Sequence, residues 1–295
     1  MPEFQRLRFA VAQSTVHEDP RDRSDLRERG DEIRRLMREA AVAGARLVHF
    51  PEGATCFPSK FVMSVNGPDE VGPADWSRFE WDVVEAELNA IAALAKQLRL
   101  WTVLGSVHQL TAPRRPHNSL YVISDQGRVH TRYDERTLSH TKVTWMYTPG
   151  SEPVTFEVDG LRFGCALGMD VHFPELFREY ERLGVDCVLV SFAGGNPYDK
   201  VSGAEAQGHA ATNSYWVSYA VPAQHGKTTP SGVISPQGDW VARCPDAVEP
   251  AIAVTELDRG KISQLAREWR RRASAEFPER VPVDHDARSN DRSAF

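Results

Sequence analysis

The sequence has little cysteine. Four of its 295 residues are Cys, at positions 56, 165, 187 and 244. None of them is spaced as C-x-x-C, so neither a disulfide framework nor a zinc site is expected, and a reducing cytoplasm fits. No other metal and no cofactor is expected. No apolar run approaches the roughly 18 residues of a membrane span. The stretch from Met1 to Leu7 is polar and carries no signal-peptide core. Positive charge is not in excess, with Lys+Arg 35 against Asp+Glu 41 and a net charge of -6. A nucleic-acid partner is therefore not expected. There is no low-complexity run and no repeat of 20–50 residues. What remains, 41% hydrophobic and 26% charged, is the profile of a soluble globular protein.

Strand-like and helix-like periods alternate. Arg6 to Ala12 places Leu7, Phe9 and Val11 on one face of a strand. Leu26, Ile33, Leu36, Met37, Ala40 and Ala41 recur at helical spacing, and Gly44 ends that helix. Arg46 to Phe50 reads as a buried strand, Glu80 to Leu98 as an amphipathic helix, and Leu100 to Gly105 as another buried strand. This order predicts parallel pairing with helical crossovers. Further on, strands flank the turns Asp125-Gln126-Gly127, Asp159-Gly160 and Pro236-Gln237-Gly238. Helices are predicted over Pro174–Leu183 and Ala204–Asn213, and a basic helix over Lys261–Arg272. Strands are predicted over Asp186–Phe192, Tyr215–Val221 and Ala251–Leu257. The expected organisation is one α/β domain over residues 1–273 and a polar tail over 274–295.

Polar residues at the ends of buried strands are the candidates for chemistry, because open α/β sheets bind ligands there. His49-Phe50-Pro51-Glu52-Gly53 ends one strand, and a half-desolvated Glu52 would suit a general base. Arg132-Tyr133-Asp134-Glu135-Arg136 and then Lys142 follow another; alternating charges of this kind also make an ordinary solvated edge. Cys165-Ala166-Leu167-Gly168-Met169-Asp170-Val171-His172 runs from a strand through a tight turn to a helix begun by Pro174. Several hydrolase folds mount a nucleophile on such an elbow. Side-chain alternation points Cys165 away from the face used at 168.

The ordered series Phe9-Ala10-Val11-Ala12-Gln13, Phe50-Pro51-Glu52, Leu104-Gly105-Ser106, Asn118-Ser119, Tyr147-Thr148-Pro149-Gly150, Phe173-Pro174-Glu175 and Gly232-Val233-Ile234-Ser235-Pro236-Gln237-Gly238 resembles the nitrilase, or carbon–nitrogen hydrolase, superfamily. The resemblance covers roughly residues 6 to 270. It implies a nitrilase-like α-β-β-α four-layer sandwich. It also implies a Glu–Lys–Cys site, supported by a further glutamate, that hydrolyses a nitrile or amide through a thioester. Carried over by position, the general-base glutamate falls on Glu52, the lysine on Glu135, the supporting glutamate on Lys142 and the nucleophile on Gly168. One of the four is kept, and two charges are exchanged.

The leading expectation is a pocket that binds a small amide, nitrile or carboxylate compound, with non-thiol acid–base chemistry. Glu52, Glu135 and Lys142 are its catalytic candidates, and Glu135 and Lys142 are expected to meet as an opposite-charge pair. Gly168, Met169, Asp170 and His172 are the candidate substrate-binding residues, with Gly168 leaving space where the thiol stood. Two other readings stand beside it. One is a pseudoenzyme acting as a binding or regulatory subunit; the other is a thiol hydrolase using Cys56. Phe57, Phe61, Trp76, Pro197 and Tyr198 suit a pocket rim. By family analogy a homodimer is expected, with contacts through helix 174–183 and the tail.

Overall fold

The computed structural model describes residues 5–195 and 199–276. Two six-stranded sheets carry the fold. The first contains β1 (Arg6–Gln13), β2 (Leu47–His49), β3 (Trp101–His108), β4 (His117–Ile123), β5 (Val129–Asp134) and the late strand β12 (Ala251–Asp258), in the order β12-β1-β2-β3-β4-β5. The second contains β6 (Thr155–Val158), β7 (Leu161–Leu167), β8 (Cys187–Ser191), β9 (Trp216–Ala220), β10 (Gly232–Ile234) and β11 (Trp240–Arg243), in the order β11-β10-β9-β8-β7-β6. Parallel pairs form the middle of each sheet: β1 with β2 and β2 with β3, then β7 with β8 and β8 with β9. Each of the four crossovers between these pairs runs through connecting chain that includes a helix. These are α1 (Arg23–Val42), α2 (Trp81–Leu98), α3 (Pro174–Arg182) and, between β8 and β9, α4 (Val201–Asn213).

Strand alternation sorts the core into layers. Leu7, Phe9 and Val11 point between the sheets and pack with Phe163, Cys165, Leu167 and Leu189 from the other side. Ala10, Ala12 and Val48 turn outward against Ile33, Leu36, Met37 and Ile91 of α1 and α2. Ala166, Val188 and Val190 turn outward against Phe177, Tyr180, Ala206 and Ala210 of α3 and α4. The result is the expected α-β-β-α sandwich. Burying these apolar faces contributes about 25 cal/mol per Å² removed from water.

Differences from the sequence reading are local. Strand β3 continues to His108, three residues past Gly105. The elbow is not a bare turn, because a tight helical turn over Gly168–His172 separates β7 from α3. A second short, wide helical turn spans Lys142–Met146. The Asp159-Gly160 turn has φ of 47° and 82°, the two positive values that a two-residue hairpin of its type requires. The chain divides by compactness into units ending and beginning at Ile262 and Ser263. The described part of the second unit is mainly one helix, α5 (Gln264–Glu276), which starts three residues later than predicted. The tail expected over 274–295 lies, beyond Glu276, outside the described residues. No helix among the described residues is long and apolar enough to cross a membrane.

Candidate functional site

Four side chains from four segments converge at the C-terminal end of the first sheet's parallel strands. Glu52 lies just past β2, Asn118 on β4, Glu135 just past β5, and Lys142 opens the wide helical turn. Both carboxylates are fully buried. Lys142 Nζ lies 2.6 Å from Glu52 Oε1 and 2.7 Å from Glu135 Oε2. Asn118 Nδ2 donates to the same two oxygens, at 2.8 Å and 2.6 Å. The second oxygen of each carboxylate takes a backbone N–H. Ala193 N donates to Glu52 Oε2 at 2.8 Å, and Met169 N donates to Glu135 Oε1 at 2.9 Å. Each carboxylate thus receives three donors in matching arrangements. Glu135 and Lys142 do meet as an opposite-charge pair, and Glu52 completes the cluster.

Burial pushes the Glu135 carboxyl up to about 7, against the pull of Lys142 and with reinforcement from Glu52. Burial alone would lower the Lys142 ammonium, but Glu135 and Glu52 outweigh it and hold the group above its ordinary value. An ammonium carries three donors. Two are bound to the carboxylates, which leaves one N–H of Lys142 without a partner among the described residues. Lys142 is also the member of the cluster that borders a cavity of about 330 Å³. Phe57, Phe61, Ser139, Met146 and Tyr147 share its wall. The Phe57 ring centroid lies 5.9 Å from Lys142 Nζ.

The expectation that Gly168 leaves room is overturned. A Cβ at Gly168 would collide with Glu135 Oε1 and sit 2.9 Å from Lys142 Nζ. The Glu135 carboxylate fills the place next to the elbow, and the φ of +56° at Gly168 disfavours any side chain there as well. Met169 serves through its backbone N–H on Glu135.

Asp170 is corrected too. It is fully buried and accepts from Tyr133 Oη (2.6 Å), Thr137 N (2.9 Å), Thr137 Oγ1 and Leu167 N (3.0 Å). Its acceptor capacity is taken up inside the protein. It ties the chain on both sides of Glu135 to the residue before Gly168. His172 is half-buried, pairs with Glu205 at 2.7 Å and does not line the cavity.

Neither does any cysteine. Cys56 is 1% exposed, and burial, with Asp19 and Glu18 nearby, raises its thiol well above the ordinary range. A thiol held neutral is a poor nucleophile, which counts against the Cys56 reading. Cys165 faces the core between the sheets, as alternation requires, and burial raises its thiol to about 12. Of the rim candidates, Phe57 and Phe61 line the cavity. Trp76 backs its wall, packing at a tilt on Tyr147 and donating to Met146 O at 3.0 Å. Pro197 and Tyr198 lie outside the described residues.

Two participants had little signal in the sequence. Asn118 appeared only as part of a family motif, and its role as a shared donor depends on a neighbour 66 positions away. The donors from Ala193 and Met169 belong to the backbone, which no residue type announces. Among the described residues no cluster of three or more His, Cys, Asp or Glu could hold a metal ion.

A family model described as carbon–nitrogen hydrolase matches residues 8–267. A protein of Mycobacterium tuberculosis named as a hydrolase is 26% identical over 281 residues, covering 87% of this chain and 91% of that one. Nitrilase homolog 2 of Dictyostelium discoideum is 22% identical over 205 residues, 65% of this chain and 57% of that one. Among solved structures, an amidase of the nitrilase superfamily from Nesterenkonia superposes with a TM-score of 0.71. It has 19% identity and covers 95% of this chain and 99% of that one. Another structure of that amidase, a variant in complex with butyramide, gives a TM-score of 0.66 at 20% identity, over 91% and 97% of the two chains.

Proposed function

This chain belongs to the carbon–nitrogen hydrolase family, and from that premise we propose that its pocket binds a small amide, nitrile or carboxylate compound against Lys142, with no thioester intermediate. The observation that carries the reading is the setting of Lys142. Its ammonium is held by two buried carboxylates, the residue lines the cavity, and one of its three donors is left over. A fixed, pre-oriented donor of this kind polarises a carbonyl or nitrile, or holds an anionic oxygen, without reorganising when the ligand arrives. The amide complex of the Nesterenkonia amidase variant supports an amide as ligand. The exclusion of a thioester rests on Gly168 and on the Glu135 carboxylate beside it.

A second reading, acid–base hydrolysis without a thiol, draws support from the Glu135 carboxyl, which burial sets near neutrality. A general acid or base works best with such a value. Glu52 and Glu135 are sealed from the cavity, so in this reading protons pass through Lys142. Water attacks the carbonyl carbon while Lys142 stabilises the oxygen. The proton the water loses is taken up by Glu135 through Lys142. It is returned by the same route to the nitrogen as the C–N bond breaks, leaving a carboxylic acid and an amine.

The test combines binding and turnover. Calorimetry with a panel of small amides, nitriles and carboxylates should give binding that Lys142→Met abolishes. Turnover of the same amides should be absent, or present and insensitive to iodoacetamide. Turnover lost on iodoacetamide treatment would overturn the proposal in favour of a thiol enzyme. Binding unchanged in a folded Lys142→Met protein would remove Lys142 from the site.

A further inference from the structure

We infer that the ligand of this pocket is an uncharged aromatic carbonyl compound, such as an aryl amide, with its carbonyl oxygen on Lys142 and its ring against Phe57. The inference rests on the reading of Lys142 as the anchor and goes on to the body and charge of what is anchored.

Charge comes first. The single positive charge of Lys142 already faces two carboxylates, at 2.6 Å and 2.7 Å. With both ionised, the buried cluster is net negative. A carboxylate brought to the third N–H would meet that negative charge in a site of low polarity, where like charges repel strongly. Only proton uptake by the cluster would relieve this. A neutral carbonyl oxygen accepts the same hydrogen bond without that repulsion.

The body follows from the walls. The Phe57 ring lies 5.9 Å from Lys142 Nζ and lines the same cavity, so a group joined to an acceptor on that nitrogen is within reach of the ring. Met146 contributes a thioether to the same wall, and sulfur packs favourably on aromatic edges. Phe61 also lines the cavity and is 41% exposed, with Lys60 Nζ 5.5 Å from its ring. The cavity is thus lined by two phenyl rings, one of them open to solvent. A cavity of about 330 Å³ lies at the small end of ligand pockets, which suits one ring and one carbonyl group rather than a long chain.

Calorimetry at pH 8 with acetamide, benzamide, cyclohexanecarboxamide and benzoate tests this. Benzamide should bind about tenfold or more tightly than acetamide, because a buried ring adds apolar contact. It should exceed cyclohexanecarboxamide by about twofold to tenfold, the contribution of aromatic pairing. It should also exceed benzoate by about tenfold, with that gap narrowing as the pH falls below 7. Phe61→Ala, a change at an exposed position, should narrow the benzamide-to-acetamide ratio several-fold. Equal binding of acetamide and benzamide, or benzoate tighter than benzamide at pH 8, would overturn this inference and leave Lys142 as the anchor. Failure of every compound to bind would overturn the anchor as well.

Discussion

Two buried polar networks lie a short way apart at the same end of the sandwich, and they differ in charge and in closure. The first is the Lys142 cluster. The second is neutral: His49 Nδ1 meets Ser218 Oγ at 2.9 Å, and His49 Nε2 meets Ser191 Oγ at 2.7 Å. Ser191 Oγ in turn donates to Phe50 O at 2.9 Å. Because Ser191 uses its one proton there, it must accept from Nε2–H, and Ser218 donates to Nδ1. Every polar atom of that chain is paired, and all three side chains are fully buried. It joins β2 in one sheet to β8 and β9 in the other. The Lys142 cluster keeps a spare donor on a residue that lines a cavity. The contrast separates a buried network that fastens the sheets from one built to receive something.

The largest effect should come from breaking the charged network. Lys142→Met leaves two carboxylates buried without a cation and should cost about 3–5 kcal/mol, read by urea unfolding. Glu135→Lys and Lys142→Glu should each be destabilising, and the double swap should recover much of the loss. Mild and additive single changes would mean that the charges are not coupled.

The two networks should also respond to pH in opposite senses. Burial holds the His49 imidazole down to about 3, so between about pH 3 and 6.5 the unfolded chain binds a proton that the folded one refuses. Stability from this group is lost as the pH falls through that window. Glu135, raised to about 7, keeps a proton that the unfolded chain releases from about pH 4.5 upward. Its contribution is lost as the pH rises toward 7. The slopes, at most about 1.4 kcal/mol per pH unit each, offset one another in the parent near pH 5–6. His49→Gln should unmask the Glu135 slope, so that stability then falls with rising pH from 4.5 to 7. A flat profile in that variant would break the comparison.

Gly168→Ala should cost about 1–3 kcal/mol, because it places a side chain at positive φ against the Glu135 carboxylate. Differential scanning calorimetry would read it, and no loss would mean that Glu135 moves aside freely. The smallest effect belongs to Cys56→Ala, at about 1 kcal/mol, with ligand affinity unchanged. A lost affinity would bring the thiol back into the site.

The layered fold was legible because apolar alternation, helical periodicity and turn residues all agreed, as at Leu7-Phe9-Val11 and Asp159-Gly160. The meeting of Glu52, Glu135 and Lys142 came from family resemblance, since spacing alone does not bring positions 52 and 142 together. Gly168 misled because an empty Cβ position reads as space until a side chain from 33 residues earlier is seen to fill it. Asp170 misled because a carboxylate beside a tight turn looks the same whether it faces a ligand or ties the turn together. His49 and Ser191 gave no sign of pairing, being 142 residues apart and each an ordinary strand-end residue.

The pairing of β1 with β12 bears on how the protein is made. All eight residues of β1 lie opposite β12, from Arg6 with Asp258 to Gln13 with Ala251. One edge of β1 therefore has its partner in residues synthesised much later, Ala251–Asp258. At about 5–20 residues per second, that edge stays open for roughly ten to fifty seconds of translation. A nascent chain stopped before Ala251 would present an apolar strand with unpaired backbone groups, the kind of edge that recruits other chains or chaperones. Sheet completion, and with it resistance to protease, should appear only once β12 has emerged from the exit tunnel.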